Sequence, residues 1–134
     1  MPITTGVKQL VDAAEREIES LSLAEAKAML GGEEAVFVDI RDIRELQREG
    51  KIKGAIHAPR GMLEFWVDPA SPYHRDVFAQ EKTYVLYCAS AWRSALATQA
   101  LQNMGMDNVC HIAGGFTAWK AAELPMEPVP VKAD

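Results

Sequence analysis

Short apolar runs alternate with helical segments along this chain, and this alternation is the feature that most constrains its fold. Two such runs, Ala35–Ile40 and Thr83–Tyr87, are rich in valine and aromatic residues. Runs of this length and composition are typical of strands that are buried on both faces. Helical segments between such strands predict an α/β fold, with a small parallel sheet of about five strands and helices on both faces.

A single domain is expected over residues 1–134, because this length lies within the range of one globular unit. Residues 1–32 are predicted to form an N-terminal helical segment. Residues 60–82 are predicted to form a long irregular loop. Residues 124–134 contain three prolines and are predicted to form an extended tail that is at most loosely docked.

Cys88 lies between the strand Thr83–Tyr87 and a predicted helix over Ser94–Met104. Ligands of parallel sheets bind beyond the carboxyl ends of the strands. The N-terminus of a helix favours anions, because its N–H groups are free and carry partial positive charge. The thiolate is the nucleophilic form of cysteine. The position therefore predicts a reactive nucleophile at Cys88 in preference to a buried structural cysteine.

The composition argues against several classes of partner. A net charge of −5 disfavours nucleic acid or an anionic membrane as the main partner. No apolar run approaches the roughly 20 residues that span a bilayer, and the first residues do not resemble a secretory signal. Two cysteines are too few for a disulfide framework, so a cytoplasmic location is expected. The cysteines and histidines show no metal-ligand spacing, so neither a metal nor an organic cofactor is expected.

From about Val36 to Pro128 the chain resembles the rhodanese (sulfurtransferase) family. The interval of four residues between Cys88 and Arg93 is similar to that of sulfurtransferases, and the related cell-cycle phosphatases have a loop one residue longer. The resemblance rests on four sequence blocks. Any one of them alone is weak evidence for the family, whereas all four in the same order are specific to it. The blocks are Val36–Asp42, Gly50–Pro59, Cys88–Ser94, and Ala113–Lys120 followed by Leu124 and Pro125.

The resemblance implies sulfur transfer by double displacement, with Cys88 as the catalytic nucleophile. Its thiolate would take the outer sulfur of a small donor such as thiosulfate, and the resulting persulfide would pass that sulfur to a thiol or cyanide. A protein sulfur donor or acceptor stays open, as does a monomer or a weak homodimer. The alternatives are a protein-to-protein persulfide carrier, a non-catalytic interaction module on the same fold, and a phosphatase or arsenate reductase.

The resemblance also implies roles for the residues around Cys88. Asp39 and Arg41 are expected to support the site, with Asp39 pairing with Arg93 or capping nearby loops. Arg93 is expected either to bind a donor sulfonate or to fix the loop through an acidic residue. Ser94 is expected to be a helix N-cap or a loop donor. The expected anion-binding loop consists of Ala89, Ser90, Ala91, Trp92, Arg93 and Ser94.

Ala91 departs from the family pattern, because many members have glycine there. If the backbone requires a positive φ, alanine costs about 1 kcal/mol, which puts the catalytic rate in question but not the fold. Cys110 is expected to be buried and inert. An aromatic group in the 60–82 segment is interpreted either as a lid over Cys88 or as a satellite core under a long loop. Its members are Phe65, Trp66, Tyr73 and His74.

Overall fold

The computed structural model describes residues 2–131. The strands are β1 (Ser20–Leu21), β2 (Ala35–Asp39), β3 (Lys51–Ile52), β4 (Ile56–His57), β5 (Thr83–Tyr87), β6 (Val109–Ile112) and β7 (Met126–Glu127). The helices are α1 (Val7–Glu17), α2 (Leu23–Met29), α3 (Ile43–Glu49), α4 (Leu63–Val67), α5 (Trp92–Asn103) and α6 (Gly115–Ala121). None of these helices has the length and apolar character needed to cross a bilayer.

Five strands form one parallel sheet in the order β1-β6-β5-β2-β4. The central strand β5 pairs with β2 along its whole length, from Ala35 opposite Thr83 to Asp39 opposite Tyr87. Four of the five residues of β5 are buried, as its apolar composition predicts. The predicted five-stranded parallel sheet is therefore confirmed, and the residue after β5, Cys88, lies at the carboxyl edge of its centre.

Helices cover both faces of the sheet, as predicted. Side chains alternate between the faces, so that Val38 faces α4 and α5 while its neighbour Phe37 faces α2 and α6. The fully buried Trp119 of α6 fills the second face. Helix α1 lies outside this sandwich and packs on α5, where Ala14 contacts the cluster around Ala95.

Two predicted segments contain structure that their sequence patterns did not reveal. The N-terminal segment 1–32 contains β1 in addition to its two helices, and β1 pairs in parallel with β6. The segment 60–82 is not irregular throughout, because it contains α4 and single 3₁₀ turns at 60–62 and 76–79. Leu63 and Val67 are four residues apart on α4, and both are buried on the sheet.

The tail is more firmly docked than predicted. Strand β7 pairs antiparallel with β3 in a separate two-stranded ribbon. The indole Nε1 of Trp119 donates to the carbonyl of Pro125 at 2.9 Å. Gly50 has a φ of +83°, and a Cβ at that position would lie 2.8 Å from the carbonyl oxygen of Glu127. The last three residues of the predicted tail, 132–134, lie outside the described residues.

Candidate active site

Cys88 follows β5 directly and is 0% exposed. Its side chain belongs to the apolar cluster of the face that carries α4 and α5. The backbone N–H of Ser94 donates to Sγ at 3.3 Å, and the Ser94 hydroxyl oxygen lies 3.6 Å from Sγ. The sulfur is therefore held from the first turn of α5 by one amide and one hydroxyl.

The backbone between Cys88 and Ser94 is arranged with its amides free. Within residues 2–131, the N–H groups of residues 89–93 have no hydrogen-bond acceptor. The carbonyls of Cys88 and Ala89 instead point at α6, where they accept from the N–H groups of Phe116 at 2.8 Å and Thr117 at 3.0 Å. Successive unpartnered amides at the start of a helix form an anion-binding concavity.

Gly115 allows α6 to approach the loop this closely. A Cβ on Gly115 would lie 2.6 Å from the carbonyl oxygen of Ala89 and 2.7 Å from that of Cys88. The residue also has a φ of +60°, which L side chains rarely adopt. Glycine at position 115 is thus needed for the contact that turns the loop carbonyls toward α6.

Ala91 occupies the left-handed region, with φ +80° and ψ −3°. It is the N-cap of α5, so the prediction that Ser94 caps this helix is wrong. Ser94 lies one turn further in, and its alternative predicted role as a loop donor agrees with its contacts to Sγ. Because Ala91 is 6% exposed, its strain lies inside the loop.

Arg93 pairs with the acidic residue Glu45 at the N-terminus of α3, which agrees with its predicted role of fixing the loop through an acidic residue. Asp39 is not its partner and instead accepts from the backbone N–H of Arg41, in line with its alternative predicted role as a cap. Arg93 Nη1 and Nη2 donate to the two carboxylate oxygens of Glu45 at 2.9 and 3.0 Å. These hydrogen bonds hold the pKa of Glu45 below its usual value and raise the pKa of Arg93. The neighbouring Trp92 is 45% exposed and Ser90 is exposed, so the rim of the loop is open to a partner.

Asp39 pairs with Arg41, and both side chains are 0% exposed. Arg41 Nη2 donates to Asp39 Oδ2 at 2.7 Å and to the carbonyl of Gly50 at 2.7 Å. The guanidinium also lies 4.2 Å from the ring centre of Phe116. This buried pair joins β2, the end of α3 and α6, so it supports the site through the frame around it. Breaking such a pair costs about 3–5 kcal/mol.

The four residues of the predicted lid do not form a single cover. Phe65 and Tyr73 contact each other edge to face at 6.4 Å, and both are about half exposed. Trp66 packs on the apolar cluster that includes Cys88, and its outer face carries the guanidinium of Arg75 at 3.7 Å. No hydrogen bond, ion pair or ring contact in residues 2–131 joins these side chains or His74 to residues 88–94.

His111 is a site residue that the sequence reasoning missed. It lies on β6 and is 1% exposed, with Nδ1 2.8 Å from Ser94 Oγ and Nε2 2.9 Å from Ser20 Oγ. Burial lowers the pKa of His111 to about 4. Its partners are 17 and 91 residues away along the chain, so no local motif marks it.

Cys110, the other cysteine, faces away from the site. It belongs to the cluster on the α2 and α6 face, whereas Cys88 belongs to the opposite one. Its Sγ lies 3.7 Å from the carbonyl oxygen of Tyr84, and burial raises the pKa of this thiol to about 12. Such a thiol is inert as a nucleophile, as expected. No three metal-binding side chains converge in the described part of the chain.

Comparisons with known proteins agree with this geometry. The sequence model of the Rhodanese-like domain matches residues 22–122. The thiosulfate sulfurtransferase GlpE of Vibrio cholerae is 30% identical over 102 residues, which cover 76% of this chain and 88% of that protein. A thiosulfate sulfurtransferase structure from Pseudomonas aeruginosa has a TM-score of 0.70 at 33% identity, covering 89% of this chain and 22% of that one.

A further solved structure is similar over almost its whole length. This protein of unknown function from Rhodopseudomonas palustris, described as a possible tyrosine phosphatase, has a TM-score of 0.91 at 49% identity. The match covers 95% of this chain and 98% of that one. Other relatives are longer, and the chain spans about a quarter of the length of several curated proteins that it matches, tRNA uridine(34) hydroxylases among them.

Proposed function

The chain belongs to the rhodanese-like domain family, and from that premise we propose that it transfers sulfane sulfur through a persulfide on Cys88. The observation that carries the proposal is the row of unpartnered amides at residues 89–93, beside a buried cysteine whose sulfur already accepts from Ser94. Such a cradle stabilises a sulfur anion, both as thiolate and as persulfide.

The reaction proceeds in two displacements. The Cys88 thiolate attacks the outer sulfur of thiosulfate, a new S–S bond forms, and sulfite leaves with the electron pair of the bond that breaks. A thiol or cyanide then attacks the outer sulfur of the persulfide, and the Cys88 thiolate leaves. Each half is covalent catalysis by a nucleophile that the loop amides hold as an anion.

The burial of Cys88 favours a slender donor. Sγ is 0% exposed, so a reacting atom reaches it only by entering the loop itself. A terminal sulfane sulfur is one atom wide, whereas a phosphate ester presents a tetrahedral group. The interval of only four residues between Cys88 and Arg93 limits the width of the anion-binding loop, which also favours a sulfane sulfur over a phosphate ester.

The charge at the rim favours a protein persulfide donor over the thiosulfate dianion. Glu45 neutralises Arg93 by a two-point pair, so the rim offers little net attraction to a small dianion. The exposed indole of Trp92 beside it is suited to contact with a protein surface. We therefore propose sulfur transfer from a protein persulfide as a second form of the reaction, in addition to transfer from thiosulfate.

A phosphatase is the second candidate, because the Rhodopseudomonas palustris relative is described as a possible tyrosine phosphatase. Ester hydrolysis benefits from a general acid that protonates the leaving oxygen. Two carboxylates around the site, those of Asp39 and Glu45, are both paired with arginines, so neither is free to act as that acid. This arrangement favours sulfur transfer.

Intact-mass measurement after thiosulfate treatment tests the proposal. We expect the mass to increase by one sulfur atom, and cyanide to remove it. Cys88→Ser should take up none, and Cys110→Ser, the matched control, should behave as the unmodified protein. An adduct that forms only with a persulfide donor would identify the carrier. No adduct from either donor, together with Cys88-dependent hydrolysis of an aryl phosphate, would replace the proposal by the phosphatase.

We expect this reaction to take place in the cytoplasm. Both cysteines are free thiols, and a reducing compartment keeps such thiols available. The persulfide needs no metal or organic cofactor, since the loop supplies the stabilisation of the anion.

A further inference from the structure

Four side chains form a continuous hydrogen-bonded row from Cys88 to the edge of the sheet. Ser94 Oγ lies 3.6 Å from Cys88 Sγ and 2.8 Å from His111 Nδ1. On the other side of the ring, His111 Nε2 lies 2.9 Å from Ser20 Oγ. The row thus crosses from α5 through β6 to the edge strand β1.

The two ends of the row differ in their access to solvent. Cys88 and Ser94 are 0% exposed and His111 is 1% exposed, whereas Ser20 is exposed. The Cys88 thiol has no solvent-accessible surface in the structure, so the route that its contacts offer to its proton begins with the hydrogen bond to Ser94 Oγ. The backbone N–H of Ser94 is a donor only, so it cannot accept that proton.

We propose that Ser94, His111 and Ser20 form a proton relay that connects the buried Cys88 thiol to solvent, and that the tautomer of His111 changes when Cys88 ionises. The proposal rests on the proposed function in one respect, namely that Cys88 must alternate between protonated and anionic forms. Ser94 contacts the reacting sulfur itself, whereas His111 and Ser20 act through Ser94 and are therefore positioning residues.

The proton transfers balance at each atom. With Cys88 as a thiol, its S–H donates to Ser94 Oγ, the Ser94 hydroxyl donates to His111 Nδ1, and Nε2–H donates to Ser20 Oγ. When each proton moves one position outward, the S–H bond breaks, Ser94 keeps one proton, His111 carries its proton on Nδ1, and Ser20 releases one proton to water. Ser94 then donates to the thiolate, and the Ser20 hydroxyl donates to Nε2.

The ring remains neutral at both ends of this exchange. Burial keeps the pKa of His111 at about 4, so the ring is unprotonated near neutral pH and has one donor and one acceptor nitrogen. A neutral imidazole between two hydroxyl groups has two tautomers, and each matches one state of Cys88.

Few other groups compete for these positions. Ser94 Oγ also lies 3.3 Å from the carbonyl of Ala91, which is longer than its distance to His111. The backbone N–H of His111 donates to the carbonyl of Glu19. The guanidinium of Arg93 is paired with Glu45 and also interacts with Cys88, while Cys110 lies on the opposite face.

Nitrogen-15 NMR of the His111 ring tests the relay, because the two tautomers differ in which ring nitrogen carries the proton. The protein is titrated while the ultraviolet absorbance of the thiolate reports Cys88 ionisation in the same sample. We expect the proton on the ring to move from Nε2 to Nδ1 with the same midpoint as the thiolate signal. In Ser94→Ala and in Cys88→Ser, the controls, the tautomer should not change over that range.

A kinetic measurement complements the NMR experiment. In Ser94→Ala, the rate of Cys88 alkylation by iodoacetamide at neutral pH should fall about tenfold, because a charge-assisted hydrogen bond to the thiolate is lost. Ser20→Ala changes only an exposed hydroxyl, so this variant should fold, and it should lose the preference for the Nδ1–H tautomer after ionisation.

An unchanged His111 tautomer while the thiolate forms would overturn the relay. This outcome is distinct from failure of the proposed function. A sulfur adduct without a tautomer change leaves sulfur transfer standing and removes the relay. A tautomer change without any sulfur adduct supports the relay and removes the sulfurtransferase.

Discussion

Glu45 and Arg93 form a two-point ion pair that joins the start of α3 to the start of α5 across 48 residues of chain. The same carboxylate accepts from the backbone N–H of Asp42 at 2.9 Å, in the capping box of α3. The position of Arg93 beside the Cys88 loop is therefore set by the N-terminal turn of another helix.

Glu45→Gln should improve the use of anionic donors. The substitution removes a negative charge from the rim and leaves Arg93 cationic, so we expect the KM for thiosulfate to fall about two- to fivefold, which corresponds to an exposed charge interaction. Steady-state kinetics checks this, with Glu33→Gln, at an exposed position in the turn before β2, as the control for net charge. A higher KM in Glu45→Gln alone would mean that the pair is needed to hold Arg93 in place.

Ala91→Gly should stabilise the protein by about 1 kcal/mol, because glycine adopts the observed φ of +80° without strain. Urea unfolding measures the change. Glu123→Gly, at a second non-glycine position with positive φ, should stabilise in the same direction, and Ala122→Gly, at φ −83°, should destabilise. Turnover should also increase in Ala91→Gly if the strain tilts the loop amides. Equal stability of Ala91→Gly and the unmodified protein would show that the loop accommodates alanine without strain.

Gly115→Ala should reduce both stability and sulfur transfer. The new Cβ would lie under 3 Å from the carbonyl oxygens of Cys88 and Ala89, so backbone must move. We expect a loss of about 2–4 kcal/mol, from backbone strain and overpacking together. Gly54→Ala is the matched control, because Gly54 has a φ of +81° with no atom within 4 Å of the added Cβ, and it should cost only about 1 kcal/mol. Similar losses in both variants would argue against the close contact with α6.

Stability should decrease with acidification in a way that depends on His111. The folded-state pKa is about 4, below the value of about 6.5 for an exposed histidine, so the unfolded chain binds more protons between these values. The free energy of unfolding should therefore be largest above pH 6.5 and fall by up to about 3 kcal/mol as the pH approaches 4. Urea unfolding of the protein and of His111→Asn over this range isolates the contribution, since the carboxylates are common to both. If the free energies of unfolding of the protein and of His111→Asn change in parallel with pH, the predicted contribution of His111 is wrong.

The position of Cys88 between a buried strand and a helix could be predicted from sequence because its setting is local. A buried strand, a cysteine and a helix follow one another within about twenty residues, and each is marked by its own pattern. The sequence also indicates a left-handed backbone at position 91, because many members of the family have glycine where this chain has Ala91. Such features depend on neighbours in the chain.

The partners of the site could not be predicted, because tertiary structure selects them. The predicted pairing of Asp39 with Arg93 is not found, because Arg41, two residues away along the chain, pairs with the Asp39 carboxylate. The contact between Ser94 and His111 joins a helix to a neighbouring strand. Strands of two residues, such as β1 and β7, are too short to show a period of two.

The ribbon of β3 and β7 sets the limits within which this domain can be excised or fused to another protein. The family match ends at residue 122, but the residues after it include Glu127, which packs against Gly50. The carbonyl of Gly50 in turn accepts a hydrogen bond from Arg41. A cut at the family boundary would remove β7 and with it the packing against Gly50, which accepts a hydrogen bond from the buried Arg41. A fusion protein that retains the chain through Pro128 would keep the Cys88 loop together with the β3–β7 ribbon and the Arg41 contact that it supports.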